Sequence, residues 1–191
     1  MRTKAVLVAL GVMGLVSVGA AFRQQAKAPA APAAPATTNP IVVLETIKGD
    51  VEFELYPQDA PKSVDHILKL VRRDFYRGLR FHWVQPGIVQ FGDPTTRNMT
   101  LRENWGKGSS GNPIGVSEVG KKSFTRGSIG LQYFFGDPKE ADSQIFICKG
   151  DSPNLNGKYT LIGKVVKGMD VVDKLEVPDM LKVAYVKGEK K

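Results

Sequence analysis

The chain has very little cysteine and histidine. Cys148 is the only cysteine among 191 residues, so no disulfide framework can form within the chain. Its place in the apolar run IFIC predicts a buried structural thiol. His66 and His82 are the only histidines, and neither has a cysteine or histidine partner at metal-ligand spacing. A glycine-rich phosphate loop is also lacking, so we predict neither a metal site nor a cofactor.

Acidic residues are the minority charge. The chain carries 27 lysines and arginines against 19 aspartates and glutamates, a formal net charge of +8. The basic residues are scattered in short runs and are not interleaved with aromatic residues in a stripe. This pattern favours a solvated basic surface over a nucleic-acid site, and it is also compatible with attraction to an anionic envelope surface. We expect no nucleic-acid partner.

Long hydrophobic runs are absent except near the start of the chain. The run Ala5–Phe22 follows two basic residues, contains no charge and ends in the small residues Gly19, Ala20 and Ala21. This pattern is typical of a secretory signal peptide over residues 1–22. An uncleaved N-terminal anchor is the alternative, because the run approaches the length of a membrane-spanning helix. Either way we expect an exported protein of the periplasm or cell envelope, membrane-anchored if the leader is retained.

Residues 23–40 are rich in alanine and proline and poor in large apolar residues. Such a segment cannot bury enough apolar surface to fold, and its prolines favour extended structure. We therefore predict a disordered linker over 23–40, serving either as a tether or as a mere leader. One folded domain, 41–191, is expected to follow, and we expect it to be a monomer.

The domain shows the patterns of many short strands and two helices. Apolar residues alternate on both sides of a Lys-Gly-Asp turn near Ile47–Asp50, which predicts a half-buried hairpin. A first helix with an apolar stripe is predicted from Pro61, and a brief second helix is predicted over Met169–Leu175. The stripe residues are Val64, Ile67, Leu68 and Val71. Short strands with glycine-rich links indicate an antiparallel barrel or sandwich, and the pattern alone does not choose between them.

Three motifs occur in order along the domain: FHWVQPGIVQFGDP from Phe81, SQIFIC from Ser143, and NGKYTLIGKVVKGMDVV from Asn156. Together they resemble the cyclophilin-type peptidyl-prolyl isomerases, over about Ile41 to Val186. The resemblance implies a mainly β fold, a closed eight-stranded antiparallel barrel with one helix capping each end. It also implies an enzyme that acts on X-Pro bonds and has proline-containing polypeptides as partners. Together with the leader, this gives an exported isomerase of a bacterial-type cell as the first hypothesis.

Prolyl isomerisation requires no nucleophile, metal or proton relay. The obstacle is rotation about a partial double bond, with a barrier of roughly 18–20 kcal/mol. A site lowers this barrier if it grips the proline ring and aims donors at groups whose electron density changes as the amide twists. The lack of a conventional catalytic cluster is therefore compatible with this activity.

The resemblance carries over to individual positions. Gln90, Gln144 and Phe146 match the family's catalytic positions, with Gln144 as a polar contact to the substrate backbone and Phe146 as the pocket floor. Strand alternation places Gln144 and Phe146 on one face and Ile145 and Ile147 on the other. The substrate-binding positions that match or replace family residues are Trp83, Ile88, Val89, Gln132, Tyr133, Leu155 and Tyr159.

Several of these positions depart from the family. Trp83 replaces an arginine that, in the family, is understood to donate toward the proline nitrogen and the neighbouring carbonyl. An indole has one neutral donor where arginine has five. Ile88 and Val89 stand where the family usually has three residues, including a pocket phenylalanine. Gln132-Tyr133 replace a small residue and an asparagine, and Asn154 stands where many members carry tryptophan.

These departures leave alternatives open. Losing the arginine's charge-assisted hydrogen bond is expected to slow turnover by about ten to a few hundred times. A non-catalytic peptide-binding or chaperone module on the same fold is the second hypothesis, and an anchored structural envelope protein the third. Trp83 either lines the groove or turns away to pack on Trp105 or Phe81. His82 is expected on the opposite strand face, in a structural role, and Glu118 is expected to be solvated.

Overall fold

The computed structural model describes residues 39–134 and 136–189. The predicted leader and all but the last two residues of the predicted linker lie outside this range. Within it, eight strands form one sheet with two α-helices and four short 3-10 helices. The strands are β1 Ile41–Thr46, β2 Gly49–Leu55, β3 Trp83–Gln85, β4 Ile88–Phe91, β5 Ser128–Leu131, β6 Ile145–Cys148, β7 Leu161–Lys167 and β8 Leu181–Val186. The helices are α1 Pro61–Arg72 and α2 Met169–Lys174, and the 3-10 helices are Pro94–Arg97, Met99–Asn104, Pro138–Glu140 and Pro153–Leu155.

The strands follow the order β3-β4-β6-β5-β7-β2-β1-β8, and each neighbouring pair is antiparallel. The prediction of a mainly β fold with eight antiparallel strands and few helices is therefore confirmed. The predicted closure of the barrel is wrong, because β3 and β8 end the sheet and do not pair with each other. Where the two ends approach, the isolated bridge Arg80–Met180 links the segments that precede these strands. The sheet is an open half-barrel.

The sheet carries different apolar clusters on its two faces. Ile145 and Ile147 of β6 lie in the main core, whereas Phe146 and Cys148 lie in a second cluster. This division follows from the two-residue period of a strand, and it confirms the predicted alternation along β6. The second cluster forms the floor of the site described below. Cys148 is fully buried, as the sequence predicts.

Helix α1 covers the main core with its predicted stripe. Val64, Ile67, Leu68 and Val71 are all buried. Pro61 occupies the first turn, where a missing N–H costs no helical hydrogen bond. The free backbone N–H groups of Lys62 and Ser63 donate to the carboxylate of Glu118, at 2.9 and 2.8 Å. Glu118 was expected to be solvated, and it instead caps α1 from a distant loop.

The last two residues of the predicted linker are hydrogen-bonded to strand β2. Asn39 Nδ2 donates to Glu54 Oε1 at 3.0 Å, and the Leu55 N–H donates to the Pro40 carbonyl at 2.8 Å. No helix within residues 39–134 and 136–189 is long and apolar enough to cross a membrane.

Candidate functional site

Strand register aligns four residues of the candidate site in a row across the sheet. Trp83 of β3 pairs with Gln90 of β4, Gln90 pairs with Phe146 of β6, and Phe146 pairs with Gly130 of β5. Directly paired residues of antiparallel strands point to the same face. The register therefore places an indole, an amide and a phenyl ring side by side.

Glycine at position 130 makes room for the Phe146 ring. A Cβ atom on residue 130 would lie 2.3 Å from Phe146 Cζ and 2.8 Å from Phe124 Cε1. Any other residue would therefore push the ring away from β5. The resulting close packing leaves Phe146 only 1% exposed.

An apolar cluster surrounds Phe146. Phe124 packs on it with ring centroids 5.6 Å apart, and Tyr159 meets it edge-on at 5.3 Å. Tyr133 in turn packs on Tyr159 at 4.9 Å, with its hydroxyl donating to the Lys158 carbonyl at 3.1 Å. The other members of this apolar cluster are Cys148, Leu161, Tyr56, Ile88 and Leu155. It thus brings together five of the predicted residues, Phe146, Tyr133, Tyr159, Ile88 and Leu155, around an aromatic floor.

A groove of about 410 Å³ opens beside this row. Trp83 lines it and is 54% exposed, so the indole faces the groove together with Trp105. Phe81, the other suggested packing partner of Trp83, is fully buried in the core against Phe91. The groove is lined by His82, Trp83, Ile88, Gln90, Trp105, Gly106, Lys107, Gln132 and Phe134.

Gln144 lies under the groove and not at its surface. Gln144 is only 1% exposed. Its Nε2 donates to the carbonyls of Gly106 and Gly108, at 3.0 and 2.7 Å, and its Oε1 accepts from Gln90 Nε2 at 2.6 Å. All of these bonds fix other parts of the site. Gln90, in contrast, lines the groove directly, and a contact of Gln144 with bound peptide stays a prediction.

The segment Trp105–Gly120, here called the groove loop, is held to the barrel at several points. The backbone N–H of Gly106 donates to Asp93 Oδ2, and Asp93 is fully buried. Farther along, Asp142 accepts hydrogen bonds from Ser110 Oγ at 2.6 Å and from the Asn112 N–H at 3.3 Å. The groove loop has no strand or helix, yet these buried carboxylates and Gln144 hold it beside the groove.

His66 completes the Asp142 cluster. His66 Nε2 lies 2.7 Å from Asp142 Oδ1, which links helix α1 to the groove loop. Burial opposes ionisation of Asp142, but the hydrogen bonds from His66, Ser110 and Asn112 hold the pKa of its carboxyl below the ordinary value of 3.8. Asp142 therefore stays charged near neutral pH. His66 thus contacts a buried carboxylate from helix α1.

Two sequence expectations differ from the structure. Val89 was predicted to contact substrate, but it is fully buried in the main core because it alternates with Ile88 and Gln90 along β4. His82 was placed on the face opposite Trp83, yet it lines the same groove. Strand β3 begins only at Trp83, so the alternation rule does not extend to His82. Burial lowers the pKa of His82 below its ordinary value of 6.5, although the charge of Asp93 opposes this shift.

Sequence reasoning missed four residues of the site: Phe124, Trp105, Lys107 and Phe134. Phe124 lies in the apolar cluster, and the other three line the groove. None belongs to a strand of the sheet, so no period marks them. Among the described residues, no group of three or more His, Cys, Asp or Glu side chains is placed to hold a metal ion.

Comparisons with known proteins point to one family. A family model described as cyclophilin type peptidyl-prolyl cis-trans isomerase/CLD matches residues 41–188. A Brucella suis protein named "Probable peptidyl-prolyl cis-trans isomerase" is 45% identical over 139 residues, which are 71% of this chain and 70% of that protein. The Arabidopsis thaliana peptidyl-prolyl cis-trans isomerase CYP23 is 33% identical over 176 residues, 91% of this chain and 73% of that protein.

A solved structure has the same fold. The crystal structure of a cyclophilin type peptidyl-prolyl cis-trans isomerase from Cryptosporidium parvum aligns with a TM-score of 0.69 and 25% identity, covering 80% of this chain and 99% of that one. The same protein crystallised in the presence of the dipeptide Ala-Pro aligns with a TM-score of 0.68. Because the family model matches residues 41–188, most of the chain, this chain belongs to the cyclophilin-type peptidyl-prolyl cis-trans isomerases, a family of isomerase enzymes.

Proposed function

We propose that this enzyme isomerises X-Pro bonds of unfolded or newly exported polypeptides, at a rate reduced by the tryptophan at position 83. The observation that carries the proposal is the row of Trp83, Gln90 and Phe146, in which the indole stands directly beside an intact polar and aromatic site. The crystallisation of a related enzyme with Ala-Pro supports a proline peptide as the ligand.

The apolar cluster around Phe146 is the surface on which we expect the proline ring to rest. Phe146 itself is buried, so the ring would contact the partly buried residues of the cluster, Tyr159 and Leu155. Holding the ring fixes one side of the X-Pro bond, so that the peptide on the other side turns relative to it. Only interactions that strengthen as the amide twists accelerate this step.

Gln90 and Trp83 offer neutral donors along the groove. Gln90 uses one amide donor on Gln144 and lines the groove with the rest of its amide. The Trp83 indole has a single N–H, and its exposed ring also offers a stacking face for a substrate side chain or a proline ring. Neutral donors stabilise a developing charge less than a guanidinium does, which is the physical reason to expect slow turnover.

The exported location belongs to this proposal as well. Residues 1–22 have the composition of a signal peptide, and residues 23–40 that of a linker. We propose that the enzyme acts in the periplasm or cell envelope, as a monomer, released or tethered according to whether the leader is cleaved. Fractionation of cells that express the full chain tests this, and recovery of all enzyme with the cytosolic fraction would overturn it.

Substitution of Trp83 by arginine tests the proposed origin of the low rate. We expect Trp83→Arg to raise kcat/KM for a short X-Pro peptide by about ten to a few hundred times, the equivalent of one charge-assisted hydrogen bond. The measurement is the relaxation of the cis peptide toward equilibrium at several enzyme concentrations. Val166→Arg is the matched control, because Val166 on β7 is also 54% exposed and does not line the groove.

The result also decides between catalysis and binding alone. If the wild type accelerates relaxation and Trp83→Arg accelerates it further while Val166→Arg does not, the proposal stands. If the wild type gives no acceleration at high concentration but binds a proline peptide, as followed by tryptophan fluorescence, the chain is a peptide-binding module. That outcome would contradict the proposed activity.

A further inference from the structure

Lys107 is the only charged side chain among the described residues that line the groove. His82 also lines it, but burial lowers its pKa, so the imidazole is neutral at pH 7. The remaining lining residues are neutral amides, aromatic rings, an isoleucine and a glycine. The groove therefore contains one positive charge, and it is located on the groove loop and not on β3.

The backbone on both sides of Lys107 is fixed by buried side chains. Gly106 donates its N–H to Asp93, and its carbonyl accepts from Gln144 Nε2 at 3.0 Å. Gly108 accepts from the same Nε2 at 2.7 Å. Asp93 and Gln144 are 0% and 1% exposed. Two of the most deeply buried polar residues of the domain thus fix the position of the Gly106–Gly108 backbone.

Both neighbours of Lys107 must be glycine. Gly106 has φ of +87°, in the left-handed region that L side chains rarely adopt. A Cβ on residue 108 would lie 2.2 Å from Asp93 Oδ1. Residues 106 and 108 therefore have no side chain that could act in the groove. Lys107 is the one side chain that this fixed segment presents there.

The ammonium of Lys107 is free to meet a ligand. Its hydrogen bond to Asn104 Oδ1 is 3.5 Å long, at the weak limit of such contacts. Within residues 39–134 and 136–189 it has no ion pair with a carboxylate. The four-carbon stem of a lysine is flexible, and its three N–H donors need no particular orientation.

We propose that Lys107 is a catalytic residue, which donates a charge-assisted hydrogen bond to the X-Pro amide as it twists and so partly replaces the arginine that Trp83 has displaced. When the amide loses conjugation, electron density returns to the proline nitrogen, and a nearby positive charge stabilises that state more than the planar ones. No bond is broken and no proton is transferred in this step. The inference rests on the proposed isomerase function.

The test compares Lys107→Met, which removes the charge, with Lys107→Arg, which keeps it. We expect Lys107→Met to lower kcat by about 10- to 100-fold with little change in KM, and Lys107→Arg to retain most of the rate. Lys182→Met on β8 is the matched control, because it removes an exposed lysine outside the groove. An unchanged urea midpoint in Lys107→Met would show that the fold is intact.

A double substitution makes the test specific to the missing arginine. If Lys107 and an arginine at position 83 stabilise the same charge, Trp83→Arg will raise kcat by more in the Lys107→Met enzyme than in the wild type. Equal gains in the two backgrounds would mean that the two positions act independently, and would overturn the proposal.

A role in substrate choice is the other outcome to be separated. Lys107 also lines a neighbouring cavity of about 480 Å³, together with Phe134 and Glu140. If Lys107 only binds an acidic substrate residue upstream of proline, Lys107→Met will change KM for peptides with Glu at that position. It will leave KM and kcat unchanged for peptides with Gln there. That result, or an unchanged rate in Lys107→Met, overturns the catalytic role, whereas inactive wild-type enzyme would instead refute the proposed function.

Discussion

Gln144 is a single residue that acts on the groove from beneath it. Its amide holds Gly106 and Gly108 through two donors and Gln90 through one acceptor. A buried carbonyl that loses its donor costs about 1–3 kcal/mol, so the loop position depends on this one side chain. Gln144 directly precedes β6, and it thereby connects the sheet both to the neutral donor Gln90 and to the segment that carries Lys107. Gln144 is therefore a positioning residue.

His82 gives the domain a pH dependence that one substitution isolates. The pKa of His82 is lowered in the folded state, so below pH 6.5 the unfolded chain binds more protons than the folded one. The domain is therefore most stable, as far as His82 is concerned, above pH 6.5, where the imidazole is neutral in both states. This stability is lost as the pH falls toward the pKa of His82 in the folded state. We expect the free energy of unfolding to fall between pH 7.5 and 5, and His82→Gln to reduce this slope, as measured by urea unfolding.

The titration of Asp142 does not contribute to the change in stability between pH 7.5 and 5. Its pKa is held below 3.8, so the stability that it contributes is lost only at more acid pH, outside the proposed window. If wild type and His82→Gln show the same slope between pH 7.5 and 5, the buried imidazole is not the cause and the expectation is wrong.

At the scale of elements, sequence period predicts the strands and helix α1 but not the groove loop. Ile145, Phe146 and Ile147 alternate between faces as any half-buried strand does, and the α1 stripe repeats at helical spacing. The groove loop has no period, because its shape is determined by Asp93, Glu118, Asp142 and Gln144 through contacts distant in sequence. This explains why Phe146 was predictable and Lys107 was not.

The groove loop tolerates an added methyl group at one glycine and not at another. In Gly108→Ala the new Cβ would meet Asp93 Oδ1 at 2.2 Å and Thr95 Cγ2 at 2.9 Å. Asp93 is held by Thr95 and Gly106, so the loop must move and its bonds to Gln144 weaken. We expect a loss of about 1–3 kcal/mol in stability, together with a lower kcat, measured by thermal unfolding and peptide relaxation.

Gly120→Ala in the same loop is the control. Nothing lies within 4 Å of the added Cβ there, and the φ of Gly120 is not in the left-handed region. Its stability is expected to change by less than about 0.5 kcal/mol. Equal effects of the two substitutions would show that the contact with Asp93 does not determine the loop position.

For the whole molecule, the motifs predict the eight-stranded architecture, but not how its edges meet. Strand β3 has only three residues, and the chain just before it contacts the first residue of β8 and the chain before β8 through a few backbone bonds. Gly78 N–H donates to the Leu181 carbonyl at 2.9 Å, and Phe81 N–H to the Asp179 carbonyl at 3.0 Å. Such irregular contacts leave no periodic signal, so sequence pattern does not distinguish an open half-barrel from a closed barrel.

The domain from Asn39 onward contains the whole sheet and groove, so we expect it to fold and act alone. A chain that starts at Asn39 should match the full chain in melting temperature and in kcat/KM. A chain that starts at Ile41 lacks the Pro40 carbonyl that accepts from the buried Leu55, and should be less stable by about 1 kcal/mol. If the Asn39 chain is already destabilised or slower, residues 1–38 contribute to the catalytic domain, and the expectation of an independent linker fails.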